Sequence, residues 1–355
     1  MFWIIIIISF CPVMLFAQAR GKVIKVVTLI EDTKINESKD IVAGHGLSLY
    51  IERNGQRILF DTGPSSQFIR NSEKLGVDIR KIDLVIISHA HTDHLGGLPF
   101  FLWTNNKATV YLSKNALKNE AFKDMCSKMD EGSFNRIRFV DSFTPLEIMP
   151  QRSLRARGLP SGAEAPLGRS QGRRPSGPEA ASGLGFRTIP GSAPEGVPPR
   201  RAGFIPFRDK SLTGFNAPLE FLTGFTEIAQ DIFILTEVEE RHPIRDRVDH
   251  EIILIIKNNK KLIIFSGCSH NEILNIIGTV TRTFPNIYIK AVIGGFHLAG
   301  EDSDFVEQIG KEMIKYPFEK IYTCHCTGVE NYRILKTILG MRIEYISTGS
   351  KFFLF

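Results

Sequence analysis

Residues 89–97 read His89-Ala90-His91-Thr92-Asp93-His94-Leu95-Gly96-Gly97, directly after the apolar run Ile82–Ser88. Such a run matches a strand buried on both faces. It delivers the chain into a cluster that holds three of the nine histidines within six residues. While the loop is still extended, every second residue from His89 points the same way, so His89 and His91 can bind one ion. Asp93 and His94 can then turn toward a second. Imidazole nitrogen and carboxylate oxygen are the donors that borderline divalent metals take. Two ions a few ångströms apart can bridge a water and deprotonate it near neutral pH. Gly96-Gly97 lets the backbone turn close beside the ions without Cβ clashes. A loop that is His-rich by coincidence is the bland alternative, and the density of histidines argues against it.

Four ligands cannot complete two sites, so others must come from further along. His270 in Ser266-Gly267-Cys268-Ser269-His270, His297 and His325 each follow an apolar strand. If those strands are parallel, all three histidines lie on the edge that carries His89. His250 instead begins a strand beside Asp249 and is the weaker candidate. Asp61, at the end of a strand and before Thr62-Gly63, can orient a ligand histidine through its other ring nitrogen, or can simply make a turn. Cys268 is a candidate soft ligand or pocket residue, and His297 a candidate ligand or pocket residue.

The rest of the chain divides into two similar halves. Strands are expected over 23–29, 47–52, 57–60, 82–88 and 110–113, with the turn Arg53-Asn54-Gly55-Gln56 joining the second and third. Helices are expected over 68–75 and 114–129. After residue 219, strands at 232–237, 252–257 and 262–266 precede helices at 272–284, 305–316 and 332–340, which alternate with strands at 287–293 and 320–323. Hairpins followed by strand–helix alternation, twice over, suit an α/β (α+β) protein of two mixed sheets packed face to face with helices outside.

Two segments stand apart. Phe2–Phe16 is almost wholly apolar and is followed by Ala17-Gln18-Ala19, which reads as a secretory signal over 1–19 and implies periplasmic or extracellular export. An uncleaved membrane anchor is the alternative, although the run is short for a span. The body then covers 20–355, interrupted at about 151–203 by a Pro/Gly/Ser/Arg/Ala-rich stretch expected to be a disordered insertion. Between Gln151 and Lys210 stand eleven Lys/Arg against four Asp/Glu, a net +7, whereas the whole chain is only +6. The basic pI of about 9.0 therefore describes one segment, and no nucleic-acid-binding face is expected. A small-molecule substrate is the expected partner, with no membrane contact beyond the N-terminal segment. Cys11 lies in the signal and Cys126 reads as an idle thiol. Cys268, Cys324 and Cys326 cluster beside histidines, as metal-site surroundings do, rather than in a disulfide framework.

The stretch His-x-His-x-Asp-His-Leu-Gly-Gly with Asp61-Thr62-Gly63 upstream resembles the signature of the metallo-β-lactamase superfamily. Gly267-Cys268-Ser269-His270, Gly294-Gly295-Phe296-His297-Leu298 and His325-Cys326-Thr327-Gly328 resemble a single-domain branch known as dihydropterin-linked, methanopterin-type synthases and metallohydrolases. The similarity runs from about Val23 to Phe353, outside 151–201. It implies a four-layer αββα sandwich with metals at one sandwich edge. It makes His89, His91, Asp93, His94, His270 and His325 the expected ligands of two divalent ions, zinc with iron or manganese as substitutes. Many members carry a late bridging aspartate where Cys268 stands here. The expected function is a metal-dependent hydrolase in which a bridging hydroxide attacks an ester, amide or phosphoester, with Asp93 ligating and orienting the nucleophile. The alternatives are dihydropterin-linked condensation and capture of a metal or small ligand without turnover. Removing 151–201 should leave the melting temperature within a few degrees of the intact chain, measured by differential scanning calorimetry; a large drop would show that the segment carries tertiary contacts.

Overall fold

The computed structural model describes residues 23–35, 40–127, 137–141, 222–249 and 251–355. The N-terminal apolar segment, the 151–203 insertion and His250 lie outside the described residues. Fifteen strands form two sheets among them. The first half supplies β1 (Ile24–Ile30), β2 (Ser48–Arg53), β3 (Gln56–Phe60), β4 (Leu84–Ile86), β5 (Thr109–Ser113), β6 (Ile137–Asp141) and β7 (Leu222–Thr223). The second half supplies β8 (Phe225–Ala229), β9 (Ile232–Leu235), β10 (Ile253–Asn258), β11 (Lys261–Ser266), β12 (Tyr288–Gly294), β13 (Phe318–Thr323) and β14 (Ile343–Tyr345). A last strand, β15 (Lys351–Leu354), returns to the first sheet and pairs antiparallel with β1.

The sheet orders are β15-β1-β2-β3-β4-β5-β6-β7 and β14-β13-β12-β11-β10-β9-β8. In each sheet an antiparallel meander passes into a parallel run, at β3–β4 in the first and at β11–β12 in the second. Parallel neighbours need a crossover, and the helices supply it. These are α1 (Gln67–Lys74), α2 (Thr92–Leu95), α3 (Leu98–Thr104) and α4 (Glu120–Ser127) for the first sheet, and α5 (Ile273–Thr283), α6 (Ser303–Met313) and α7 (Val329–Leu339) for the second. None of the described helices is long and apolar enough to cross a membrane.

The period-two alternation of strands explains the layering. Ile58 and Phe60 of β3, Leu254 and Ile256 of β10, and Ile263 and Phe265 of β11 all point into one core between the sheets. Their neighbours Leu59, Ile255 and Ile264 point outward into two further cores, one under α1 and α3, the other under α5, α6 and α7. Three cores make four layers, α/β/β/α. At the end of the inner core, buried Arg53 reaches across to the second sheet, donating to the Gln230 and Lys257 carbonyls and pairing with Asp231 at 3.0 Å.

Some local expectations need correction. The strand expected over 82–88 is ladder-paired only at Leu84–Ile86; Ile87 still donates its N–H to the Tyr111 carbonyl, and residues 88–91 leave the sheet as the loop that carries the histidines. The single helix expected over 114–129 is a 3₁₀ turn (Lys114–Lys118) followed by α4, with Asn119 extended between them (φ −79°, ψ 133°). Asn suits such a helix-entry position because its short polar side chain competes for backbone donors.

Phe265 is fully buried between the sheets, and its ring centre lies 6.1 Å from that of Phe60 on the opposite sheet. Phe265→Ala should cost about 3–5 kcal/mol of stability, read by urea unfolding; a loss below about 1 kcal/mol would show that the sheets do not depend on this contact.

Candidate metal centre

The site is assembled from strand ends. β4 leads into Ser88 and His89, and the short helix α2 turns Asp93 and His94 inward. β11, β12 and β13 are parallel neighbours, so their C-terminal ends bring His270, His297 and His325 to one edge. Residues that leave such strand ends sharply occupy the left-handed region: Asp61 (φ 59°), His297 (φ 50°) and His325 (φ 49°). For non-glycine residues this conformation costs of order 1–3 kcal/mol each, and it persists where surrounding structure overdetermines it.

Two triads of donors result. In the first, one donor atom each from His89, His91 and His270 lies within 4.8 Å of the others. His89 Nε2 sits 3.1 Å from His91 Nδ1, and the His270 ring centre is 4.8 and 4.9 Å from those of His89 and His91. In the second, Asp93, His94 and His325 meet the same criterion. Here His94 Nε2 faces His325 Nε2 at 3.2 Å, and Asp93 Oδ2 is 3.2 Å from His325 Nε2 and 3.5 Å from His94 Nε2. The ring centres of His89 and His94, 4.2 Å apart, join the triads into one cluster. Cys268 Sγ lies 3.1 Å from His94 Nε2.

Behind each of four rings an oxygen engages Nδ1. Asp61 Oδ2 holds His94 at 2.7 Å, Ser88 Oγ holds His89 at 2.9 Å, and Asp32 Oδ1 holds His325 at 2.8 Å. His270 Nδ1 meets the Asp246 carbonyl at 3.1 Å and its carboxylate at 3.2 Å. With a proton on Nδ1 donated to oxygen, Nε2 is the nitrogen that faces the cluster, the one that ligates once it carries no proton. The fit to metal ions is independently visible at His270, whose buried Nε2 has no hydrogen-bond partner. Leaving such an atom unsatisfied costs about 1–3 kcal/mol.

Asp61 is the hub of this scaffold. Fully buried, it accepts from the Ser88 backbone N–H at 2.6 Å, from the Ser88 hydroxyl at 2.7 Å and from His94. Glu251, also buried, accepts from the N–H groups of His270 and Asn271 and so clamps the turn after β11. Glu31 does the same for the His325 N–H. Gly97 is required for a reason other than closeness to ions: a Cβ there would stand 2.2 Å from the Thr62 carbonyl oxygen. The glycine lets the histidine loop lie against the Asp61-Thr62-Gly63 turn.

The two triads differ in charge. Burial, then the neighbouring rings of His297 and His91, lower the His270 pKa to about 4, so that ring is neutral at pH 7. For His325, burial opposes the charged ring, but hydrogen bonds to Asp32 and Asp93 outweigh it and raise the pKa to about 11. Burial likewise works against the Asp93 carboxylate, and the His325 and His94 rings overcome it, holding Asp93 well below the usual carboxylate range.

All six expected ligands therefore fall in one cluster, with Asp61 directly behind it and Cys268 against it. His297 lies to one side, its ring centre 4.4 Å from that of His270. The sequence alone does not point to Asp32, His45, Ser88, Asp246 or Glu251, and it points to Cys326 only as part of the metal-site surroundings. Asp32 had a readable signal, since it follows the end of β1 as Asp61 follows β3. Asp246 sits in a loop without regular structure and had none.

A family model described as the metallo-beta-lactamase superfamily matches residues 41–194. The 7,8-dihydropterin-6-methyl-4-(beta-D-ribofuranosyl)-aminobenzene-5'-phosphate synthase of Methanocaldococcus jannaschii is 28% identical over 325 residues, covering 87% of this chain and 90% of that protein. A ribonuclease Z of Agathobacter rectalis is 36% identical over only 61 residues, 17% of this chain and 20% of its own. A solved structure described as a metal-dependent hydrolase of the beta-lactamase superfamily superposes with a TM-score of 0.57 at 23% identity, over 93% of this chain and 98% of that one. That likeness shows the fold.

Asp61→Asn removes the charge behind His94 while keeping a residue that tolerates a left-handed backbone. It should weaken binding of divalent metal about 10–100-fold in chelator competition; unchanged affinity would mean that Asp61 only shapes the turn.

Proposed function

We propose, from the match of residues 41–194 to the metallo-beta-lactamase superfamily model and the shared fold, that this chain is a metal-dependent hydrolase of small ester, amide or phosphoester substrates. The observation that carries the proposal is the facing pair of triads, His89/His91/His270 and Asp93/His94/His325. Three imidazoles suit one divalent ion, and two imidazoles with a carboxylate suit another; zinc is favoured by the donors, with iron or manganese admitted by supply. When bound, such ions supply an activated water and polarise the substrate oxygen.

The chain's own residues have distinct tasks. Ser88, Asp61, Asp246 and Asp32 engage Nδ1 of the rings and so turn Nε2 toward the cluster. Asp93 keeps its negative charge and leaves one side toward solvent, where it orients an incoming water by hydrogen bonding. His45, exposed on the rim with Nε2 3.7 Å from Asp93 Oδ2 and Nδ1 3.2 Å from Asp32, is available to a substrate from outside. The apolar Phe2–Phe16 run and the Ala17-Gln18-Ala19 triplet support export of the mature chain as part of the same proposal.

One observation favours a second reading. The similarity to the M. jannaschii synthase spans nearly the whole of both proteins, which supports pterin-linked condensation in which the same donors serve a departing pyrophosphate. The proposed export favours the hydrolase, because cofactor assembly is cytoplasmic chemistry.

The test is to purify the mature chain, count its metals, and assay phosphodiesters, carboxylic esters, lactams and a dihydropterin pyrophosphate with an arylamine. Hydrolysis should appear in the first group, and His91→Ala and Asp93→Ala should each lower kcat/KM at least about a thousandfold while the circular dichroism spectrum is kept. Full activity in both variants would overturn the site assignment. Condensation without hydrolysis would transfer the assignment to the synthase, and stoichiometric metal without any turnover would leave a binding protein.

A further inference from the structure

A second donor cluster adjoins the metal centre and lies outside its two triads. Cys268 Sγ, Cys326 Sγ and one ring nitrogen of His297 lie within 4.8 Å of one another. In a tetrahedral site with metal–sulfur bonds of about 2.3 Å, donors stand about 3.8 Å apart, so closure needs movements of about an ångström. No disulfide joins the two thiols.

Three features show that this trio is built as a site. The first is the histidine. His297 Nε2 is engaged by Asp246 Oδ2 at 3.1 Å, while its Nδ1 is buried and has no hydrogen-bond partner. A carboxylate behind one nitrogen and an orphaned lone pair at the other is the arrangement of a ligating histidine. The second is the seating of Cys326. Its sulfur receives the His297 backbone N–H at 3.2 Å, and a Cβ on Gly295 would meet it at 2.5 Å. Only glycine at 295 lets the end of β12 lie against that sulfur. The third concerns Cys268, whose sulfur lies 3.1 Å from His94 Nε2. If that lone pair is committed to the Asp93/His94/His325 triad, the Cys268 sulfur is released to face Cys326, whose thiol already points to the Cys268 carbonyl at 3.5 Å.

We propose that Cys268, Cys326 and His297 form a separate thiophilic cation site, taking a soft or borderline ion such as cadmium, copper(I) or zinc beside the His/Asp centre. Two sulfurs and one nitrogen select for softer cations than the imidazole–carboxylate triads do. Half-buried His297 and Cys326 leave a path for the ion from solvent. The centre therefore has a hard flank at Asp93 and a soft flank at the Cys pair, and Asp246 ties His270 of the one to His297 of the other.

Cadmium is the probe. Metal-stripped full-length chain is titrated with cadmium chloride, following the thiolate-to-cadmium charge-transfer absorbance and chelator competition. Wild type should develop the band. Cys326→Ser should lower the band and weaken the cadmium affinity responsible for it at least about tenfold, and the Cys268→Ser/Cys326→Ser pair should abolish it. His91→Ala, which disables the imidazole triad, should keep the band, so failure here is distinct from failure of the hydrolase assignment. In parallel, one equivalent of cadmium should protect Cys268 and Cys326 of the wild-type chain together from alkylation, located by peptide mass mapping; this holds the proposal testable if a variant does not fold. Absence of the band in wild type, an unchanged band in folded Cys326→Ser, or protection of Cys268 alone would overturn the proposal.

Discussion

An imidazole free to rotate and to exchange its proton between two nitrogens is a poor ligand. The interaction on which this structure depends is the hydrogen bond behind each ring, which fixes both. Ser88, Asp61, Asp246 and Asp32 each engage one Nδ1 or more. They come from four separate segments, two ending strands of the first sheet, one in a loop before β10 and one after β1. No local stretch can form the centre. It exists only once the inner core, with Phe60 and Phe265 among its largest members, has brought the sheets together.

The same geometry sets the charge. At the first triad burial, followed by the neighbouring His297 and His91 rings, keeps His270 neutral. On the other side Asp93 and Asp32 flank His325 and favour its charged form. A cation at the second triad would have to displace a proton from His325, whereas one at the first would meet a His270 ring that is already neutral. Two positions with one ligand vocabulary are thus electrostatically unlike.

Backbone strain collects at the same edge. Asp61, His297 and His325 adopt left-handed conformations within or beside the cluster, and buried carboxylates hold the adjoining turns. Glu31 accepts from the His325 N–H and from the Tyr345 hydroxyl, and Glu251 accepts from the turn after β11. These carboxylates replace the water that the peptide groups lose on burial, and the sheets beneath supply the rigidity that keeps a strained turn in place.

Much of this was legible from residues alone. The run into His89, the alternation of Ile and Leu in β10 and β11, and the repeated hairpin-then-crossover order carry the two-sheet fold, because hydrophobic period and turn chemistry are local properties. Residues 89–94 carry four of the six donors of the two triads, since ligands one to three positions apart need only one loop. The ends of β11 and β13 pointed to His270 and His325 only through the assumption that the strands run parallel. Other features had no local signal: the return of β15 to β1, the break at Asn119, and the partners Asp246 and Glu251. Those contacts join segments far apart in the chain, and which acceptor stands behind which ring is decided by how two sheets pack. The sequence alone thus determined what kinds of donor are present and which strands deliver them. The tertiary structure decided their grouping into two triads and a sulfur-rich flank, because distance and tautomer are set by packing across the sandwich, not by spacing along the chain.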